Sequence, residues 1–325
     1  MRKILIVIVL TVLVIFGIYF VQHRWNNENT EIGMAEKIDE VKEEPKEDIT
    51  INMTVTGDVL CHNTNFFDAY NASTDSYDFS YTFEDIKKYF DNADIVVGTL
   101  ESNFAGKAAG YSNYPLFNAP EQLATDLKEL GFDVMATANN HCLDKGFSGM
   151  VNTLAELDKA GIEHYGTYAT KEDSEKYLIK DVNGIKIAFL DYNYGTNGIS
   201  LPEGKEWAIS MIDRDKIKTD IDNVKKENVD VVCVNMHWGQ EYRLTPTDEQ
   251  KELADFLFEN GADLILGSHT HCLEPMEKRT VTLSDGTTKD GFIIYSLGNF
   301  MSGQKADNSR QSVILDIQLT KSGND

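Results

Sequence analysis

The sequence predicts an α/β layered domain behind a single amino-terminal membrane span. Three observations carry the fold class. Apolar runs of strand length alternate with segments of helical period across residues 49–325, which argues against a bundle or a pure β-sandwich. The strands are short and continuously apolar, as in sheets covered on both faces. Turn signals at Asn183-Gly184 and at 284–286 (Ser-Asp-Gly) place hairpins within this alternation.

The front of the chain is of another kind. Arg2 and Lys3 precede residues 4–21, a run of 18 without charge or proline. At about 1.5 Å per residue it reaches roughly 27 Å, enough for a bilayer core. A cleaved signal peptide is the rival reading. Against it, the run exceeds the roughly 7–15 residues of such a core, and residues 17–25 (GIYFVQHRW) offer no small-x-small site. No cysteine before Cys61 could take a lipid. Arg2, Lys3 and the amino terminus outweigh Arg24, so the amino end stays inside and the domain is expected to be extracytoplasmic on a single-pass anchor, residues 1–25. Residues 26–48, with nine Asp/Glu and three Lys, cannot bury a core and read as an acidic tether.

Of the net charge of −23, the first 25 residues contribute +3 and the tether −6, leaving −20 on the domain. Such a surface excludes nucleic acid as a partner and repels anionic membrane. A polyanionic ligand would need a metal or a local basic patch.

Along the domain, 51–56 is a strand ending at Gly57-Asp58. Residues 83–92 have helical spacing, and 94–100 form a strand ending at Glu101. A helix over 120–130 carries Pro120 in its first turn and stops at Gly131. Strand 133–137 leads into Asn139-Asn140-His141, and helix 147–160 closes at Gly161. Strands 177–182 and 185–191 form the first hairpin. Helix 213–228 precedes strand 229–236, which ends at His237. Helix 247–260 precedes strand 263–267, which ends at His269. Strands 277–283 and 291–297 make the second hairpin, and 312–319 is the last strand.

Strand ends therefore deliver Asp58, Glu101, Asn140-His141, His237 and His269-x-His271, the place where α/β sheets build sites. Carboxylate oxygen, amide oxygen and imidazole nitrogen together suit zinc, manganese or iron better than calcium. Five of seven histidines (62, 141, 237, 269 and 271) fall at such positions, more than scattered surface histidines would. Asn139 reads as structural. Cys61, Cys142, Cys233 and Cys272 read as small packing residues behind the site, with one disulfide among them as the alternative.

Glycine 57 with Asp58, TLESN with Glu101, ANNHCLDKG with Asn140 and His141, MHWGQEY with His237, GSHTH and YSLGNF occur in this order. In that order the chain resembles the CapA family over residues 54–300. These are proteins associated with poly-γ-glutamate capsule synthesis, whose domain is similar to the calcineurin-like metallophosphatases. The resemblance implies a metallophosphatase-like sandwich, two β-sheets flanked by helices, holding one or two divalent ions. By that pattern Asp58 and His271 hold one metal, Asn140, His237 and His269 the other, and Glu101 lies between them. His141 then serves a leaving oxygen. Asp144 either orients His141 or caps the following helix. Glu241 is a candidate for metal-bound water or substrate, or a solvated loop acid. The chain departs from the pattern at Leu60, where a histidine is usual, and at Glu101, where an aspartate is usual. His62 either compensates for Leu60 or caps the next loop.

The expected role is in poly-γ-glutamate or related envelope-polymer production, beside a membrane synthase, with a metal-dependent hydrolase-like site. A general extracytoplasmic phosphoesterase and a non-catalytic scaffold subunit are the alternatives.

Overall fold

The computed structural model describes residues 47–283 and 285–323, together with Gln22 and Arg24. The expected span and nearly all of the tether lie outside the described residues. Among those described, no helix is long and apolar enough to cross a membrane.

Two sheets form the centre. In the first, β1 (Ile49–Leu60) runs parallel to β2 (Ile95–Leu100), which pairs with β3 (Val134–Ala136) and then β4 (Glu163–Tyr165). In the second, the hairpin of β5 (Leu178–Val182) and β6 (Ile185–Asn193) leads to β7 (Val231–His237) and β8 (Leu264–Ser268), all parallel from β6 onward. The hairpin of β9 (Met276–Thr282) and β10 (Thr288–Ile294) adds to β8. The chain then returns to the first sheet. There β11 (Asn299–Ser302) joins the end of β1 in parallel, and β12 (Leu315–Lys321) joins its first half antiparallel.

Side-chain alternation stacks the layers. Ile51, Met53 and Val55 of β1 meet Ile187, Phe189, Cys233 and Leu266 between the sheets. The opposite face of the first sheet packs on α1 (Gln122–Leu130) and α2 (Gly146–Ala160) through Leu123, Leu127 and Leu157. Val232, Val234 and Met236 of β7 point the other way, onto Ile217 and Ile221 of α3 (Arg214–Lys225) and Leu257 of α4 (Asp248–Asn260). The result is helices, sheet, sheet, helices, with both sheets buried on two faces as their continuous apolar runs require.

One expected element differs. Residues 83–92 form no α-helix; Ser80–Phe83 and Lys87–Tyr89 are separate 3₁₀ turns. Packing decides this, because Phe83 stacks on Phe300 and Phe90 reaches Phe132 and Phe300, contacts that two tight turns satisfy. All four cysteines are buried free thiols, in keeping with packing rather than a disulfide.

Candidate metal centre

The carboxyl ends of the two sheets face one another, and the polar strand ends meet there. At Gly57 the β1–β2 register shifts, because the chain passes so close to Gly298 that a Cβ at Gly57 would lie 1.8 Å from the Gly298 carbonyl oxygen. That bulge delivers Asp58 inward. Glu101 follows β2, Asn140 and His141 follow β3, and His237 ends β7. His269 and His271 follow β8 with φ of +90° and +58°, left-handed values that non-glycine residues adopt at a cost.

Asp58, Glu101 and His237 have no exposed surface, and Asn140, His269 and His271 are buried. Two groups of ligand atoms within 4.8 Å of one another result: Glu101 with His237 and His269, and Asp58 with Glu101 and His271. Glu101 belongs to both. Its Oε1 lies 3.5 Å from His237 Nε2 and its Oε2 3.7 Å from His271 Nδ1, while Asp58 Oδ2 lies 3.8 Å from the latter. Asn140 Oδ1 is 2.7 Å from His237 Nε2, which places the amide with the His237–His269 group.

The electrostatics are those of a cluster deprived of water. Burial pushes Glu101 up to about 8, partly countered by His141 and reinforced by Glu241. Burial, then the Glu101 charge, raises Asp58 well above the carboxylate range. Burial drives His237 and His269 far down and His271 down to about 3. His141 alone goes the other way. Burial lowers it, but its bond to Asp144 and the charge of Glu101 together leave it raised.

The donor set fits a divalent ion. Among the described residues, ten buried side-chain polar atoms find no hydrogen-bond partner, and Asp58 Oδ1, both Glu101 oxygens and His269 Nδ1 are four of them. Buried acceptors are seldom left so. Hard oxygen and imidazole donors converging from five chain segments suit manganese, zinc or iron.

Beside this cluster Asp144 Oδ2 accepts from His141 Nδ1 at 2.8 Å and from Phe117 N at 2.7 Å. It therefore orients His141 and does not cap α2, whose N-cap is Lys145. Asn139 bonds Leu100 O, Thr137 O and His141 N, a structural role. His62 belongs to neither group of ligand atoms; its Nδ1 lies between Leu60 O at 2.9 Å and Gly303 N at 3.1 Å. It does not fill the place left by Leu60. Glu241 is exposed in the loop after β7 and also belongs to neither group, though its charge is felt at Glu101 and Tyr194.

Sequence reasoning missed three residues. Ser268 Oγ lies 2.9 Å from His237 Nδ1, and Asn299 Oδ1 lies 3.0 Å from His271 Nδ1, so each holds a ring. Tyr194 lies over His237 and His269. Ser268 and Asn299 stand inside GSHTH and YSLGNF, which was the available signal.

Fold and cluster define a class: a two-sheet α/β domain with a buried carboxylate–histidine centre able to hold divalent metal. The chain belongs to the bacterial capsule synthesis protein family PGA_cap, whose profile matches residues 52–304. It is 33% identical over 258 residues to the PGA biosynthesis protein CapA of Bacillus subtilis, covering 74% of this chain and 62% of that protein. It is 28% identical over 305 residues to the capsule biosynthesis protein CapA of Bacillus anthracis, covering 90% of this chain and 69% of that one. Among solved structures, the calcineurin-like phosphoesterase YfkN of Bacillus subtilis overlaps 85% of this chain and 92% of its own at 14% identity, with a TM-score of 0.46. An overlap that loose transfers no chemistry.

Proposed function

We propose that this chain is a membrane-anchored, extracytoplasmic CapA-type protein whose metallophosphatase-like domain hydrolyses a bond in the production of poly-γ-glutamate or a related envelope polymer. The apolar run at 4–21, its basic flank and the acidic tether support the anchoring. Family membership supports the capsule context. The observation that carries the site is the convergence of Asp58, Glu101, His237, His269 and His271 with four unpartnered buried donor atoms among them.

Asp58, Glu101 and His271 would hold one ion, and Glu101, Asn140, His237 and His269 the other. A divalent ion held there supplies Lewis-acid polarisation of a phosphoryl or carbonyl oxygen. The protein's own part is positioning and proton control. Asp144 fixes Nδ1 of His141, which leaves Nε2 to donate to a leaving oxygen, and the charge of Glu101 favours the protonated ring. Ser268 and Asn299 set the rings of His237 and His271. A one-ion site is the second reading. Among the described residues the Asp58 group gathers three ligand residues, since Leu60 is apolar and His62 stands outside it.

Elemental analysis of the full chain, purified in detergent without chelator, tests the reading against His237→Ala and His269→Ala. One or two equivalents of manganese, zinc or iron, lost in both variants, are expected. A wild-type chain that takes up no metal even after reconstitution would remove the hydrolase reading and leave a scaffold role.

A further inference from the structure

Tyrosine 194 is the first residue beyond β6, and its backbone N–H donates to His237 O at 3.2 Å. It therefore emerges from the same row of parallel strand ends as His237 and His269. Its ring centroid lies 4.5 Å from that of His269. From His237 it is 6.2 Å away and nearly parallel, at 9°. The residue is 46% exposed, so the ring covers one flank of the cluster while its edge reaches solvent.

Three of the cluster's ring nitrogens already face a partner within the fold. His237 Nδ1 faces Ser268, His271 Nδ1 faces Asn299 and His141 Nδ1 faces Asp144. Asn140 Nδ2 donates to Asn197 Oδ1 at 3.3 Å. No lysine or arginine side chain is among the cluster's hydrogen-bond or ion-pair partners in the described residues. The Tyr194 hydroxyl has no hydrogen bond among the described residues, and a phenol carries its proton at neutral pH.

We infer that Tyr194 is a substrate-facing residue of this centre: its ring walls the His237–His269 half, and its hydroxyl donates a hydrogen bond to an oxygen of a tetrahedral oxyanion of the phosphate class bound there. This rests on the reading of the cluster as a metal site. The interaction is non-covalent, and the ring fixes where the oxyanion sits.

The test uses the full chain in detergent, stripped and reloaded with Mn²⁺, and titrates Mn²⁺ and then inorganic phosphate by calorimetry. Wild type is compared with Tyr194→Phe and Tyr194→Ala. Mn²⁺ affinity within about twofold of wild type is expected for Tyr194→Phe. Its phosphate affinity should fall about tenfold, the worth of one hydrogen bond to a charged group. Tyr194→Ala should lose at least as much. Equal phosphate affinity in wild type and Tyr194→Phe overturns the inference, as does a Mn²⁺-loaded wild type that binds no phosphate. Loss of Mn²⁺ together with phosphate in Tyr194→Phe overturns it in favour of a packing role. A wild type that takes up no Mn²⁺ removes the metal-site reading itself, and Tyr194's role falls with it.

Discussion

Serine 268 and Asn299 are uncharged and outside both ligand groups, yet each sits against the inner nitrogen of a cluster histidine. Fixing one imidazole nitrogen sets the ring and the tautomer for metal at the other, so removing the fixing group releases both. Ser268→Ala should therefore lower Mn²⁺ affinity about 10–100-fold, read by calorimetry. Asn299→Ala should act similarly through His271. Unchanged affinity in both would show that strand geometry alone orients the rings. At this scale the sequence exposed the charged and imidazole residues, because a strand end followed by Asp, Glu or His is a local signal. Ser268, Asn299 and Tyr194 have roles made by partners distant in the chain; GSHTH and YSLGNF enclose the first two without revealing those roles, and no local pattern marks Tyr194. His62 shows the reverse. Its position beside the first strand suggested a ligand, but it stands in neither ligand group, and its Nδ1 sits between Leu60 O and Gly303 N.

Strand β1 is the element on which the centre depends. Its bulge needs Gly57 and Gly298 in near contact, and Asp58 N donates to Gly298 O at 3.0 Å beside it. A methyl at Gly57 must push two backbones apart, since the obstruction is a carbonyl and not a flexible side chain. Gly57→Ala is expected to cost on the order of 2–3 kcal/mol in denaturant unfolding. It should also weaken Mn²⁺ binding, because Asp58 leaves its place. A variant of wild-type stability and metal affinity would show that the bulge relaxes freely. Long elements were legible: the helices expected to begin at 213 and 247 do begin there, and the side chains of Asp213 and Thr247 cap α3 and α4. The strands Glu163–Tyr165 and Asn299–Ser302 were not. They are too short for periodicity and exist because neighbours β3 and β1 offer an unpaired edge. Residues 83–92 had helical spacing, but the aromatic packing of Phe83 and Phe90 outweighed it.

For the whole molecule, alternation of strand and helix implied layers without saying that two sheets meet with their carboxyl ends together. That meeting is held by polar links no local pattern reveals. Asp191 of β6 accepts from Thr137 N at 3.0 Å and Ala138 N at 2.7 Å in the first sheet's loop, and from Asn235 Nδ2 at 2.8 Å in β7. It thereby ties the second sheet to the segment carrying Asn140 and His141. Burial pushes its carboxyl up to about 7, against those three donors, which favour the ionised form. The sign follows from which state holds the proton. Between about pH 4 and pH 7 the folded chain keeps it and the unfolded chain releases it. Stability from this group is thus full below about pH 4, falls by up to about 1.4 kcal/mol per pH unit, and levels off above about pH 7. Asp191→Asn cannot titrate, so its metal-free unfolding free energy should fall less steeply than wild type across that window. It should also start lower, because an amide NH₂ meets donors where a carboxyl oxygen accepted them. Urea unfolding of the metal-free protein at several pH values measures both effects. Parallel curves for the two proteins would mean that Asp191 stays ionised in the fold and that its three donors outweigh its burial.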